Sequence, residues 1–296
     1  MSWVKEGYAN TKLFQDFSNG RRTKKFIPRI KVGDKIHTDQ DRLADAFTSS
    51  FMELLGRDQA REFTLDLDAL GLHTTDLQEL EEIFTEDEVW KMIKEMPPDR
   101  APGQDGFTGA FYQKAWPIIK GDIMAGFLKL YVGEGRGFAK LNIALMVLIP
   151  KRSDAEEVGD YRPISLPHSF GKLFSKMMAI RMRKMLLELV SMNQSAFIRG
   201  RSLHDNFLLV KQMARKMHAR KTSTVFLKLD ISRAFDTISW TFMFEVLRAK
   251  GFSEHWISWI TTLLTTASSR VLVNGCAGDK FMHAKGMRQG DSISPL

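Results

Sequence analysis

The chain has 296 residues, of which 44% are hydrophobic and 26% are charged, a globular composition that excludes disorder as the dominant state. A single cysteine excludes a disulfide framework and a cysteine-based zinc site, and it is typical of a reducing compartment. With a net charge of +8, no apolar run near the roughly 20 residues of a membrane span and no signal-peptide pattern, we expect a basic, soluble, intracellular protein.

The charge is strongly segregated along the chain. Residues 1–36 contain nine basic and three acidic residues, residues 53–95 contain four basic and thirteen acidic ones, and residues 172–221 contain twelve basic and two acidic ones. In the last segment the cations alternate with apolar residues at helical spacing, which predicts helices with one basic face. Such a face attracts a polyanion, and nucleic acid is the natural partner, but a merely solvated face would have the same composition.

The first hundred residues show a turn and two helices. The turn is predicted at residues 32–34, and a capping box at Thr85 starts a helix that ends before Pro97. Another helix is predicted over residues 39–55 from four apolar side chains on one face: Leu43, Phe47, Phe51 and Leu54. The proline pair at 97–98 and the glycines after it separate an N-terminal extension, residues 1–96, from a larger domain, residues 97–296.

The larger domain alternates between predicted helices and short strands. In chain order we expect a helical region over 107–131 with Pro117 in the first turn of a second helix, a strand over 142–149, helices over 170–190 and 202–219, a strand over 225–229, helices over 240–250 and 253–266, and a hairpin within 270–285. Trp256, Trp259 and most of the sixteen methionines are expected to fill the core.

A carboxylate stands at the end of the second predicted strand. In LKLDISRAFDTISW, residues 227–240, the apolar run delivers Asp230 to the end of the strand, where a hard cation such as Mg²⁺ finds the oxygen ligands it prefers. For Asp236, which follows a turn, capping or backbone hydrogen bonding is favoured over metal binding. Taken alone, Asp230 is also better explained as a turn residue at the end of a strand. Whether it is a metal ligand therefore depends on the other segments of the sequence.

That context comes from segments before and after it. They are APGQDGF at 101–107, LIPKRSDAEEVGDYRPISL at 148–166, FIRGRSLHDN at 197–206 and GMRQGDSISPL at 286–296. In this order and at these separations, residues 101–296 resemble the reverse transcriptases of non-LTR (LINE-type) retrotransposons, most closely the plant elements. WVKEGYANTKLFQDFSNGRRTKKFI, near the N-terminus, resembles the stretch that precedes the polymerase domain in such elements.

The resemblance implies an α+β fold, namely a fragment of a right-hand polymerase. Helical fingers would occupy about 97–222 and an incomplete palm sheet about 223–296, after a helical N-terminal extension. The chain ends at Leu296 inside a family block, and the Asp-Asp pair of the next block, which supplies further metal ligands, does not occur in the sequence. We therefore expect a truncated reverse transcriptase that is inactive by itself.

The resemblance also assigns roles to individual residues. Asp230 matches the first catalytic aspartate, which binds the two Mg²⁺ ions, and Ile231 would lend its backbone carbonyl to one of them. Phe235 matches the aromatic residue beneath the incoming sugar that excludes a 2′-hydroxyl. Arg162 matches the arginine that contacts the triphosphate, and Gln289 and Gly290 match the loop that packs on the template and the incoming base.

The partners implied are an RNA template, a DNA primer or RNA–DNA hybrid, and deoxynucleoside triphosphates, with no membrane and no prediction of oligomeric state. A nuclear or cytoplasmic ribonucleoprotein is the expected location. Two alternatives stay open: a non-catalytic nucleic-acid-binding remnant, and a degenerate product without function. The residues expected to bind nucleic acid are all basic: Arg199, Arg201, Lys211, Arg215, Lys216, Arg220, Lys221 and Arg288.

Overall fold

The computed structural model describes residues 26–57, 61, 63–231 and 233–294, in a mixed arrangement of helices and sheet. The helices are α1 (Gln40–Leu55), α2 (Glu86–Lys94), α3 (Gly109–Tyr131), α4 (Phe138–Leu141), α5 (Ser169–Leu189), α6 (Leu203–Ala219), α7 (Ala234–Thr237), α8 (Trp240–Ala249) and α9 (Glu254–Thr265). In this part of the chain, no helix combines the length and the apolar character that crossing a membrane requires. The expected resemblance at the N-terminus falls largely on residues 1–25, outside the described residues.

The six strands found among the described residues form two sheets. A short ribbon pairs β1 (Ile30–Val32) with β2 (Lys35–His37) across the turn predicted at 32–34. The main sheet contains β3 (Ile143–Pro150), β4 (Tyr161–Pro167), β5 (Ser268–Val273) and β6 (Cys276–Met282), in the order β4-β3-β5-β6. Only β3 and β5 run parallel. The predicted hairpin is confirmed as β5–β6, with Asn274 and Gly275 both at positive φ, as a tight Asn-Gly turn requires.

Helix α1 covers one face of the main sheet. Asp39 caps it by accepting from the backbone N–H of Arg42, and a stripe of apolar side chains faces the sheet. Phe47 packs edge-on against Tyr161 of β4, with ring centroids 5.2 Å apart. The stripe consists of Leu43, Phe47, Phe51 and Leu55. The predicted helix is therefore confirmed, with Leu55 rather than Leu54 as its last fully buried apolar residue.

A second core lies among helices α2, α3, α5 and α9. Phe84 stands at its centre, with ring centroids 5.3 Å from Phe127, 5.7 Å from Phe174 and 5.4 Å from Trp259. Thr85 caps α2 by accepting from the N–H of Glu88, so the predicted helix start is confirmed. Met177, Met178, Trp256 and Trp259 are buried here as expected, whereas the same expectation was wrong for Met192 and Met213, which are 83% and 51% exposed.

Two predicted elements were wrong. Pro117 does not start a new helix, because α3 continues through it from Gly109 to Tyr131. The buried side chains before and after the proline, such as Trp116 and Phe127, hold the helix together despite a cost of about 3 kcal/mol for an interior proline. Residues 225–229 form no strand: they pair with no other described strand, and Val225 is 91% exposed. A segment with high strand propensity forms a strand only where the edge of a sheet is available for it to pair with.

Candidate active site

A loop at residues 286–291 contacts the turn that contains Phe235. The N–H of Met287 donates to the carbonyl of Phe235 at 2.7 Å. Gly286 has a φ of +70°, and a Cβ at this position would lie 2.7 Å from the carbonyl oxygen of Asp236. Glycine is therefore needed for so close an approach.

The second half of the same loop runs along the outer edge of β4. The N–H of Ser165 donates to the carbonyl of Gln289 at 2.8 Å, and a Cβ on Gly290 would lie 2.9 Å from the carbonyl oxygen of Ser165. Arg162, three residues earlier on β4, is exposed and lies opposite Ile149 of β3. This loop, which contains Gln289 and Gly290, thus contacts both β4, the strand that carries Arg162, and the turn at Phe235.

Arg288 was expected to bind nucleic acid, but its side chain points from this loop into the interior and is buried. Its guanidinium donates to the backbone carbonyl of Asn142 at 3.2 Å and to that residue's side-chain oxygen, and it pairs with Asp291 at 3.3 Å. Asp291 in turn accepts from Ser175 of α5. Burial lowers the pKa of Arg288, and Asp291 opposes this shift. The arginine therefore anchors the loop to the core and is not available to a phosphate.

Asp230 and Ile231 lie outside this cluster, on the exposed segment that follows α6. Mg²⁺ demands about six oxygen ligands in octahedral geometry. No three His, Cys, Asp or Glu side chains in the described ranges come together in a way that could hold a metal ion. The described residues therefore do not form the two-metal site, and Asp230 with the carbonyl of Ile231 supplies only a small part of the necessary ligands.

Sequence reasoning missed two cations near Phe235. Burial raises the pKa of Asp236, and the positive charges of Arg233 and Lys151 oppose this shift, so both cations lie near that carboxylate. Lys151 also donates to the carbonyl of Gly159 at 2.6 Å, which fixes it beside the β3–β4 connection. Lys151 belongs to the LIPK segment quoted above. No local feature of the sequence indicated that it would lie near the turn at 233–237.

The comparisons with known proteins agree with this arrangement of segments. The family model described as "Reverse transcriptase (RNA-dependent DNA polymerase)" matches residues 149–296. The chain belongs to the reverse transcriptase family.

The similar proteins come from retrotransposable elements. A Transposon TX1 uncharacterized 149 kDa protein from Xenopus laevis is 27% identical over 73% of this chain and 16% of its own length. The Pol polyprotein of the type-2 retrotransposable element R2DM of Drosophila melanogaster is 27% identical over 66% of this chain and 18% of its own. A Pol polyprotein of a type-1 element R2 of Popillia japonica is 28% identical over 71% of this chain and 28% of its own. This is a reverse transcriptase domain of the LINE-type kind, and the matched region spans less than a third of each relative.

The basic residues of the reverse transcriptase domain divide into exposed and structural groups. Arg201 is a structural one, since it donates to the carbonyls of Val190 at 3.0 Å and Gln194 at 2.7 Å. Arg181, in the basic segment, is buried and forms a two-pronged ion pair with Glu88. The other predicted nucleic-acid-binding cations apart from Arg288 are exposed: Arg199, Lys211, Arg215, Lys216, Arg220 and Lys221.

Proposed function

We propose that residues 101–296 form the fingers and part of the palm of a right-hand RNA-directed DNA polymerase. The observation that carries this proposal is the loop at 286–291, which is hydrogen-bonded both to β4 and to the turn at Phe235. In this assignment Arg162 binds the triphosphate of an incoming deoxynucleotide, Phe235 packs beneath its sugar, and Gln289 and Gly290 face the template base. Deoxynucleoside triphosphates, an RNA template and a DNA primer are the proposed substrates, in a nuclear or cytoplasmic ribonucleoprotein.

Magnesium is part of the same proposal, with Asp230 and the carbonyl of Ile231 among its ligands. The ion would neutralise charge that develops on the transferring phosphoryl group. Because the described residues do not complete such a site, the protein's own contribution is positioning. Arg162 offers a planar cation suited to phosphate oxygens, and the ring of Phe235 offers a wall that excludes one hydroxyl by volume.

A chimera tests this proposal. Residues 101–296 would replace the matching segment of the Drosophila relative, and primer extension on RNA would be measured. We expect extension that Asp230→Asn abolishes, whereas Asp279→Asn, the same change at an exposed position on β6, leaves it intact. Phe235→Val should raise ribonucleotide incorporation relative to deoxyribonucleotide by on the order of 10–200-fold. If the sugar preference is unmoved in a variant that still polymerises, Phe235 does not contact the sugar.

A second candidate function, non-catalytic binding of nucleic acid, is favoured by one observation. The exposed cations of α6 form no ion pair within the described ranges and are therefore available to an anion. A folded chimera that binds RNA but does not extend a primer would support this alternative.

A further inference from the structure

A cavity of about 270 Å³ lies between the turn at 97–109 and the first turns of α5. Among the described residues that line it there is no carboxylate. Lys172 and Lys176 stand one helical turn apart on α5, so their side chains share one face. With two arginines they make the lining strongly cationic: Arg100, Lys172, Lys176 and Arg183.

The walls of this cavity are held in place by close packing. A Cβ on Gly103 would lie 2.1 Å from the carbonyl oxygen of Pro167, so only glycine lets the turn rest on the end of β4. Asp105 accepts from both the N–H of Ser169, at 2.7 Å, and its hydroxyl, at 2.5 Å. Tyr112 hydrogen-bonds to the same hydroxyl. The cavity is therefore formed before any ligand arrives.

The four cations have no carboxylate partner within 4.0 Å in the described part of the chain. Burial lowers the pKa of both Lys172 and Lys176, and the charge of Arg100 lowers each further. Asp105, Asp291 and Glu95 act in the opposite direction from outside the lining. An anion in the cavity would relieve the remaining repulsion among the cations.

An aromatic pair stands at the edge of the same cavity. Phe107 lines it and stacks on Phe111, with ring centroids 4.3 Å apart and an interplanar angle of 25°. Both rings are exposed, Phe107 by 44%. Phe111 covers one face of the Phe107 ring and Tyr112 meets that ring edge-on, with centroids 6.3 Å apart, so the exposed part of Phe107 is what another planar group could stack on.

We propose that this cavity binds a phosphate of an unpaired polynucleotide while an adjacent base stacks on Phe107. Proteins that bind single-stranded nucleic acid combine cations along the phosphate backbone with aromatic side chains on which bases stack. A base within a duplex is already stacked on both sides, so it has no free face for Phe107. Arg183 also borders the groove that contains Arg199 and Arg201, so the cationic path continues beyond the cavity. This inference rests on the proposed function. It adds the position at which an unpaired template strand lies.

Oligonucleotide binding by the whole 296-residue chain tests the phosphate site without any polymerisation. Fluorescence anisotropy would give the affinity for labelled decamers of uridine and of deoxyuridine at several salt concentrations. Since each single-strand phosphate contact contributes about 0.7 to the slope of log affinity against log salt, loss of the one phosphate contact in Lys172→Met/Lys176→Met should reduce the slope by about 0.7. The control Lys129→Met/Lys140→Met removes two exposed charges elsewhere and should leave the slope unchanged.

Loss of stacking on Phe107 should change the affinity but not its dependence on salt. Phe107→Leu should weaken binding about five- to a hundredfold at every salt concentration with the slope unchanged, because stacking is not electrostatic. Phe107→Trp should retain the wild-type affinity, and equal unfolding temperatures would show that both variants fold. Because the phosphate and the base face are common to both sugars, we expect the two decamers to bind alike.

Several outcomes would overturn the proposal. They are a slope unaltered by the double lysine variant, full affinity in a folded Phe107→Leu protein, or a ten-base-pair duplex that competes as well as the single strand. A preference above about tenfold for one sugar would also contradict it, since that requires contacts to the 2′ position. In the chimera, lost primer extension with intact decamer binding would refute the polymerase assignment alone.

Discussion

At the scale of single residues, two arginines of the same region have opposite environments. Arg288 is buried against Asn142 and Asp291, whereas Arg162 is exposed on β4. Arg288→Ala should lower the free energy of unfolding by about 3–5 kcal/mol, because Asp291 is left buried without its partner. Arg162→Ala should change it by less than about 0.5 kcal/mol. Urea denaturation measures both, and equal effects would contradict the assignment of Arg288 as an anchor.

His283 gives the fold a dependence on pH. Burial lowers its pKa to about 3, with the charge of Arg288 adding to the shift, and its Nε2 lies 2.8 Å from the hydroxyl of Ser269. The folded pKa is below the unfolded value of about 6.5, so the stability that neutral His283 provides is complete above pH 6.5 and decreases as the pH falls towards 3.

Between pH 7 and pH 5 this loss should amount to about 2 kcal/mol, on the basis of 1.36 kcal/mol per pH unit below about 6.5. Chemical denaturation at each pH measures the loss. His283→Gln, which keeps a hydrogen-bonding group near Ser269 but does not titrate, should flatten the dependence. An identical pH profile in this variant would show that His283 is not responsible.

At the scale of elements, the segment at 225–231 presents five apolar side chains to solvent, interrupted by Lys228 and Asp230. Phe226 is 72% and Leu229 78% exposed, which favours self-association. Replacing both with serine should shift the isolated chain towards monomer in light scattering at high concentration. The control Val132→Ser removes one exposed apolar side chain on a different surface and should have no effect. A wild-type chain that is already monomeric would contradict this interpretation.

The elements that the sequence predicted are those with local signals. A capping threonine at residue 85 and an Asn-Gly turn at 274–275 act within a few residues, so α2 and the β5–β6 hairpin could be located in advance. The strand expected at 225–229 could not be tested locally, because strand pairing depends on an edge supplied from elsewhere. For the site, the family segments led to Arg162, Phe235, Gln289 and Gly290, whose roles stay predictions. The burial of Arg288 was not visible, since its main partner, Asn142, lies 146 residues away.

At the scale of the whole molecule, helix α6 and the two residues that follow it form an exposed basic surface. None of its described side chains is buried, and its cations lie beyond both cores. Reversing four charges to glutamate should lower the salt dependence of binding to an RNA–DNA hybrid. The four positions are Arg215, Lys216, Arg220 and Lys221. Affinity measured against salt concentration would show this, with the same reversal at four exposed lysines of other elements as the control: Lys91, Lys114, Lys129 and Lys140.

An unchanged slope in the α6 variant would remove this helix from the binding surface. A decrease of equal size in the control would show that only the net charge of the protein matters. Little sequence preference is expected in either case, because contacts to phosphates carry no sequence information.

The double attachment of the loop at 286–291 has a mechanical consequence. Its backbone is bonded to β4 on one side and to the turn at Phe235 on the other, and Arg288 secures it from below. The distance between β4 at Ser165 and the turn at Phe235 is therefore fixed by a loop of six residues. If the proposed function is right, a nucleotide bound between these elements would meet walls that are already in place, so little binding energy would go to rearranging them. In the same proposal, a sugar with an additional hydroxyl would meet the ring of Phe235 on a turn that the loop holds in place.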